Sequence, residues 1–115
     1  MPRMSNWNPE DDKLVTLAKG ARSRVQSVSG AALRDETGRT YASAQVSVGH
    51  LNLSAVEVVV AQAVASGSTG IEAVVLCSGS EFSTSDIALV KEFAGSGVPL
   101  HRIADAGELA DSFLT

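Results

Sequence analysis

A few residues have types and spacings that could do chemistry. Ser54-Ala55-Val56-Glu57 and Ser83-Thr84-Ser85-Asp86 each place a hydroxyl three residues ahead of a carboxylate. That is the spacing at which a serine caps a helix N-terminus and the acid reaches back to the cap. Cys77 is the single cysteine, at the end of the apolar run 71–77. The carboxyl ends of strands are where α/β sheets build their sites. A thiolate there becomes a nucleophile when a base lies beside it, and His50 and His101 are the two histidines available. The plainer reading is a buried, inert thiol, with His50 ahead of a helix and His101 in mid-strand. The loop 78–83 (Ser-Gly-Ser-Glu-Phe-Ser) could cradle an anion with its N–H groups. Glu81 and Asp86 oppose that, and it reads as a connector. Asp11-Asp12 could pair on a metal, but acids at a helix start are explained by the helix dipole. Trp7 either anchors a partner or folds back on its own domain.

The elements that must position these residues follow from hydrophobic periodicity. Asn8-Pro9-Glu10 starts a helix, with Asn as cap and Pro in the first turn. Leu14, Leu17, Ala18, Ala21 and Val25 continue it over 9–25. Two strands, 28–33 and 39–48, flank an Asp35-Glu36-Thr37-Gly38 turn and form an antiparallel hairpin. A helix covers 51–66, with Leu53, Val56, Val60, Ala63 and Val64 on one face. It is apolar on nearly every side, so the expectation is a sheet against one face and another subunit against the other. A strand over 71–77, a helix over 83–94 stopped by Gly95, a short strand over 98–103 and a terminal helix over 106–113 complete the chain. The order α-β-β-α-β-α-β-α predicts a mixed sheet covered by helices.

Four stretches resemble the small homo-oligomeric cytidine deaminases. Gly30-Ala31-Ala32-Leu33 with Gly38-Arg39 is similar to their first hairpin. Leu51-Asn52-Leu53-Ser54-Ala55-Val56, running into Val58-Val59-Val60, is similar to the helix carrying their Cys/His-Ala-Glu motif. Ser83-Thr84-Ser85-Asp86, running into Leu89-Val90-Lys91-Glu92-Phe93, is similar to their Pro-Cys-x-x-Cys helix. Leu109-Ala110-Asp111-Ser112-Phe113 resembles their closing segment. The resemblance spans residues 30–113. It implies a three-layer α-β-α sandwich with a mixed sheet, an N-terminal antiparallel hairpin followed by crossover-connected strands. It also implies a homo-oligomer, dimer or tetramer.

The departures from the family pattern bear on function. The resemblance implies a zinc ion held by one Cys or His and two Cys at helix N-termini, with a Glu moving protons. The matching positions hold Ser54 for the first ligand, Val56 for the Glu, and Ser83 and Asp86 for the two Cys. Neutral hydroxyls are poor zinc ligands, and one carboxylate does not hold zinc alone. Valine transfers no proton. Zinc, and any other cofactor, is therefore expected to be absent. Shifting the register by one residue puts Glu57 at the acid position but Ala55 at the ligand position; in the first register Glu57 lies about 100° around the helix. The family's ribose-contacting Asn-x-Glu corresponds to Gln45-Val46-Ser47, without its Glu. Two residues are also missing between Val48 and Leu51. Gln45, Ser47, Glu57 and Cys77 are the candidates left for a vestigial cleft.

Composition bounds the rest. With 115 residues, 44% hydrophobic and 19% charged, the chain suits one globular domain. The expected division is a loose tail over 1–7 and a domain over 8–115. Nine Lys+Arg against thirteen Asp+Glu, with no basic cluster, argue against nucleic acid and anionic membrane as partners. One cysteine excludes an internal disulfide. No apolar run reaches the ~20 residues of a membrane span, and the first ten carry no apolar stretch, so a cytoplasmic location is expected. The expected function is a catalytically inactive relative of the nucleoside deaminases, acting as a homo-oligomeric scaffold or binding module. Two alternatives stand beside it: an enzyme of altered, zinc-independent chemistry in the same cleft, and a roadblock-like interaction module. Parallel pairing of 71–77 with the first hairpin strand is the expected mark of the deaminase scaffold.

Overall fold

The computed structural model describes residues 7–115; of the expected tail, residues 1–6 lie outside the described residues. Helix α1 spans Asp11–Arg24. Strands follow at β1 (Ser29–Asp35), β2 (Thr40–Ala44), β3 (Val46–Val48) and β4 (Leu51–Leu53). Helix α2 (Ala55–Ala65), β5 (Ile71–Ser78), α3 (Thr84–Ala94), β6 (Pro99–Ile103) and β7 (Leu109–Leu114) complete the chain. The main sheet has the order β2-β1-β5-β6-β7, and β3 with β4 forms a separate small hairpin. Helix α1 covers one face and α2 and α3 the other, giving the expected α-β-α sandwich.

The sheet is mixed, but β5 runs antiparallel to β1; the parallel pair is β5 with β6. The crossover through α2 leaves from β2, whose direction is opposite to β1. Delivering β5 beyond β1 along the direction of β2 makes it antiparallel to β1. The expected parallel pairing of 71–77 with the first hairpin strand is thus corrected.

Four sequence expectations about the elements change. The strand 39–48 breaks at Gln45, whose N–H bonds to the Ser29 carbonyl, and its end turns back into the β3–β4 hairpin. Residues 51–53 therefore pair as a strand, and the helix begins only after Ser54. The segment expected as a terminal helix is β7, antiparallel to β6 at the sheet edge. Leu109, Asp111 and Phe113 alternate with Ala110, Ser112 and Leu114, and edge pairing selects that period of two over the helical alternative. At the N-terminus, Asn8 does not cap α1 directly. Its side chain accepts from Glu10 N, and Glu10 occupies the cap position.

The two faces pack differently. The α2–α3 face buries Leu33, Val56, Val59, Val74, Val90 and Leu100. Val59 rather than Val64 completes the buried stripe of α2, and Val64 remains exposed. The α1 face is built from smaller residues, Ala18, Ala32 and Ala73 with Leu14, Val75 and Cys77. Gly30 sets how closely α1 approaches: a Cβ there would lie 2.3 Å from the Ala18 carbonyl oxygen and 2.8 Å from Arg22 Cβ.

Candidate functional site

The N-termini of α2 and α3 meet at the end of the sheet where β5 finishes. Ser54 and Ser83 are extended, with ψ of 158° and 154°, as cap residues must be before the chain turns helical. Ser54 Oγ accepts from Glu57 N at 3.0 Å, and Glu57 Oε1 accepts from Ser54 N at 2.8 Å. The first S-x-x-acid pattern therefore closes as a reciprocal capping box. The second closes only halfway. Ser83 Oγ accepts from Asp86 N at 3.1 Å, but the Asp86 carboxylate turns the other way, and Ser54 Oγ donates to Asp86 Oδ1 at 2.8 Å. The Ser54 hydroxyl thus accepts from its own helix and donates to the next.

Asp86 is buried. Burial pushes its carboxyl up from the ordinary value, the nearby Glu57 charge adds to the rise, and the Ser54 and Ser83 hydrogen bonds oppose it. Val56 is fully enclosed in the hydrophobic core to which Phe82 also belongs. Phe82 holds the loop before Ser83 through an edge-on contact with Phe113, centroids 5.7 Å apart. The site therefore offers hydroxyls, one buried carboxyl and apolar surface. This donor set does not fit a zinc ion: two neutral hydroxyls and one carboxylate supply neither thiolate nor imidazole. Among the described residues no group of three or more His, Cys, Asp and Glu is arranged to hold a metal.

Of the other residues picked from sequence, Glu57 belongs to this site through the capping box. Gln45 lies at the end of β2, against Ser29, with a 3.4 Å contact from Ser29 Oγ to Oε1. Ser47 is on the small hairpin, donating to Asn52 Oδ1 at 2.8 Å. Cys77 is not in the cleft at all. It faces α1, in the opposite core from Val56, and burial pushes its thiol up despite the pull of Lys19 and Arg22. His50 sits in the exposed β3–β4 turn. His101 lies opposite Val75 and is occupied elsewhere, so no histidine is placed to activate the thiol.

A second polar group was not legible from spacing. His101 is fully buried, its Nδ1 2.6 Å from Ser112 Oγ and its Nε2 3.2 Å from Asp11 Oδ2, off the hydrogen-bond axis. Arg34 donates to Asp11 Oδ1 at 2.9 Å and to Glu72 Oε1 at 2.7 Å. Trp7 packs against the His101 ring at 4.7 Å, so it folds back on its own domain. The order Ser112–His101–Asp11 has the form of nucleophile, base and orienting acid. Arg34 already balances the acid and Trp7 covers the ring, so the group is a buried strut joining α1 to β1, β6 and β7. Burial alone would raise the Asp11 carboxyl; the close His101 ring and the bond and charge of Arg34 outweigh it and hold it below the usual range.

The family model for cytidine deaminase-like domains matches residues 7–107. The chain belongs to the cytidine deaminase-like family. Its fold is also that of a solved structure, "Crystal structure of cytidine deaminase from Mycobacterium leprae", with a TM-score of 0.65 and 20% sequence identity, covering 93% of this chain and 94% of that one. No curated protein matches the chain. Family membership and the shared sandwich set aside the roadblock alternative. No helix among the described residues is long and apolar enough to cross a membrane.

Proposed function

We propose that this chain is a zinc-free, catalytically inactive member of the cytidine deaminase-like family that serves as a homo-oligomeric scaffold or binding module. The observation that carries the reading is the 2.8 Å Ser54–Asp86 hydrogen bond, supported by the two serine caps. At the positions where the resemblance implies metal ligands, the two helix N-termini are tied to each other by side chains alone. Val56, at the position implied for the proton-transferring acid, is sealed in the core. Of the orphan N–H groups at the two helix starts, the caps satisfy Glu57 N and Asp86 N. The oligomer is supported by apolar side chains left in the open: Val48 and Leu51 on the small hairpin and Val64 on α2 are 71%, 52% and 51% exposed.

Elemental mass spectrometry on tag-free protein prepared without chelator tests the reading, together with cytidine turnover and light-scattering mass. Near-zero zinc, no turnover and a mass of at least two chains are expected. About one zinc per chain, or turnover that a chelator abolishes, overturns it. Turnover without metal favours altered chemistry in the same cleft.

A further inference from the structure

On the other side of the sheet from Ser54 and Asp86, a cavity of about 610 Å³ opens at the C-terminal end of α1. Its walls are the last turns of α1, the end of β5 at Cys77, and the turn 104–107 between β6 and β7. It therefore lies beyond the carboxyl ends of β5 and β6, the one parallel pair in the sheet. That is where α/β sheets leave a crevice for ligands, and the volume is in the range of small-molecule sites.

Two cations converge on it. Lys19 Nζ makes no ion pair or hydrogen bond among the described residues. It lies over the β6–β7 turn, 3.4 Å from where a Cβ on Gly107 would stand, and Gly107 has a φ of +97° that favours glycine. Arg22 is held in place from two sides: Nε donates to the Ser27 carbonyl at 3.2 Å and one terminal nitrogen to Asp105 Oδ1 at 2.7 Å. Its other terminal nitrogen is left for a ligand. Asp105 is the one acid in the wall and is 62% exposed, so its pair with Arg22 is screened by water. Cys77 lines the same cavity, and the Lys19 and Arg22 charges pull its thiol down against the larger rise from burial.

The α1 C-terminus is partly closed: Ser27 N bonds to Arg22 O and Gln26 N to Ser23 O, which engages two of its last carbonyls. Gln26 makes that closure in the left-handed region, φ +53°, where glycine is the ordinary residue. Gln26 and Ser23 both line the cavity. In a chain of net charge −4, a cleft with one free and one pre-oriented cation selects an anion.

We propose that this cavity binds a small phosphate monoester, the phosphate between Lys19 and Arg22 and the hydroxyl-bearing body against Ser23 and Gln26. A dianion suits two cations better than a carboxylate does, and the guanidinium fork matches phosphate oxygens. The site is independent of the α2–α3 cleft and stands whether or not that cleft is inactive.

Amide NMR titration of the whole chain with glycerol 3-phosphate, at ionic strength matched with sodium chloride, tests it. Saturable shifts are expected at Lys19, Arg22, Gln26 and Gly107. Lys19→Gln, which breaks no contact of the fold, should weaken binding about tenfold or more. Inorganic phosphate should shift the same amides, with the ester binding more tightly. Non-saturating shifts, shifts centred on Ser54 and Ser83, or unchanged affinity in Lys19→Gln overturn the proposal. Thermal unfolding of Lys19→Gln at the wild-type temperature excludes misfolding as the cause of a loss.

Discussion

Ser54 Oγ donates to Asp86 Oδ1 at 2.8 Å, tying the N-termini of α2 and α3 across 32 positions of chain. The same hydroxyl accepts from Glu57 N at 3.0 Å, so one atom caps a helix and bridges to its neighbour. Ser54→Ala removes both bonds and takes the Ser54 donor from a buried carboxyl. A loss of about 2–3 kcal/mol is expected, against about 1 kcal/mol for Ser83→Ala, which removes the α3 cap but leaves the Ser54–Asp86 bond in place. Asp86→Asn retains an acceptor and removes a charge that burial disfavours, so it should stay within about 1 kcal/mol of wild type. Urea unfolding of the three variants checks this ranking; an Asp86→Asn loss as large as that of Ser54→Ala contradicts it.

The same geometry makes the site convertible. Ser54→Cys, Ser83→Cys and Asp86→Cys together replace two hydroxyls and a carboxylate with three thiols on neighbouring helix starts. Thiolates there are favoured by the helix dipoles and suit zinc. The triple variant should take up about one zinc per chain and lose thermal stability on chelation, whereas the wild type should unfold at the same temperature with and without chelator. Chelator-sensitive wild-type unfolding contradicts the expectation.

Acid should unfold the protein from the β1 end of the sheet. Asp35 is fully buried and accepts from Ser68 Oγ at 2.6 Å, Thr37 Oγ1 at 2.7 Å, Thr37 N at 2.9 Å and Arg39 N at 3.0 Å. Burial alone would raise its carboxyl, but these hydrogen bonds outweigh it and hold it far below the usual range. Asp11 is lowered in the same sense. Folded values below unfolded ones mean that the unfolded chain binds more protons at low pH. Their stabilisation is complete above the ordinary carboxylate range near pH 4, begins to fall as pH enters that range, and is lost once pH passes their lowered folded values. Asp35→Asn should flatten that part of the stability–pH curve and cost about 2–4 kcal/mol at pH 7. Equilibrium unfolding from pH 3 to pH 7 reads both effects.

Gln26 holds α1's closing turn at φ +53°. Gln26→Gly relieves that strain at the cost of a more flexible unfolded chain, and should stabilise by up to about 1 kcal/mol. The same variant removes a side chain that lines the cavity, so it should weaken glycerol 3-phosphate binding while raising Tm. A fall in Tm contradicts the strain argument.

What the sequence determined by itself is what neighbouring residues decide among themselves. The S-x-x-E box at Ser54, the Ser83 cap and the α1 helix rest on contacts three or four residues apart, and the antiparallel 29–44 hairpin on pairs 6 to 14 apart around one turn; each is legible in spacing and residue type. The resemblance added the order of the layers. Tertiary structure decided everything that depends on distant partners. Asp86 follows the S-x-x-D spacing, yet its carboxylate goes to Ser54, because a buried charge takes the donor that packing brings nearest. The segment 109–114 suits a helix or a strand, and only the open edge of β6 made it β7. Cys77 and Val56 were both apolar core by type, but which side of the sheet each faces was settled by the direction of β5 and the seat of α1. The Asp11–His101–Arg34 strut and the Lys19–Arg22 cavity join α1 to strands far along the chain, and no local period signals either.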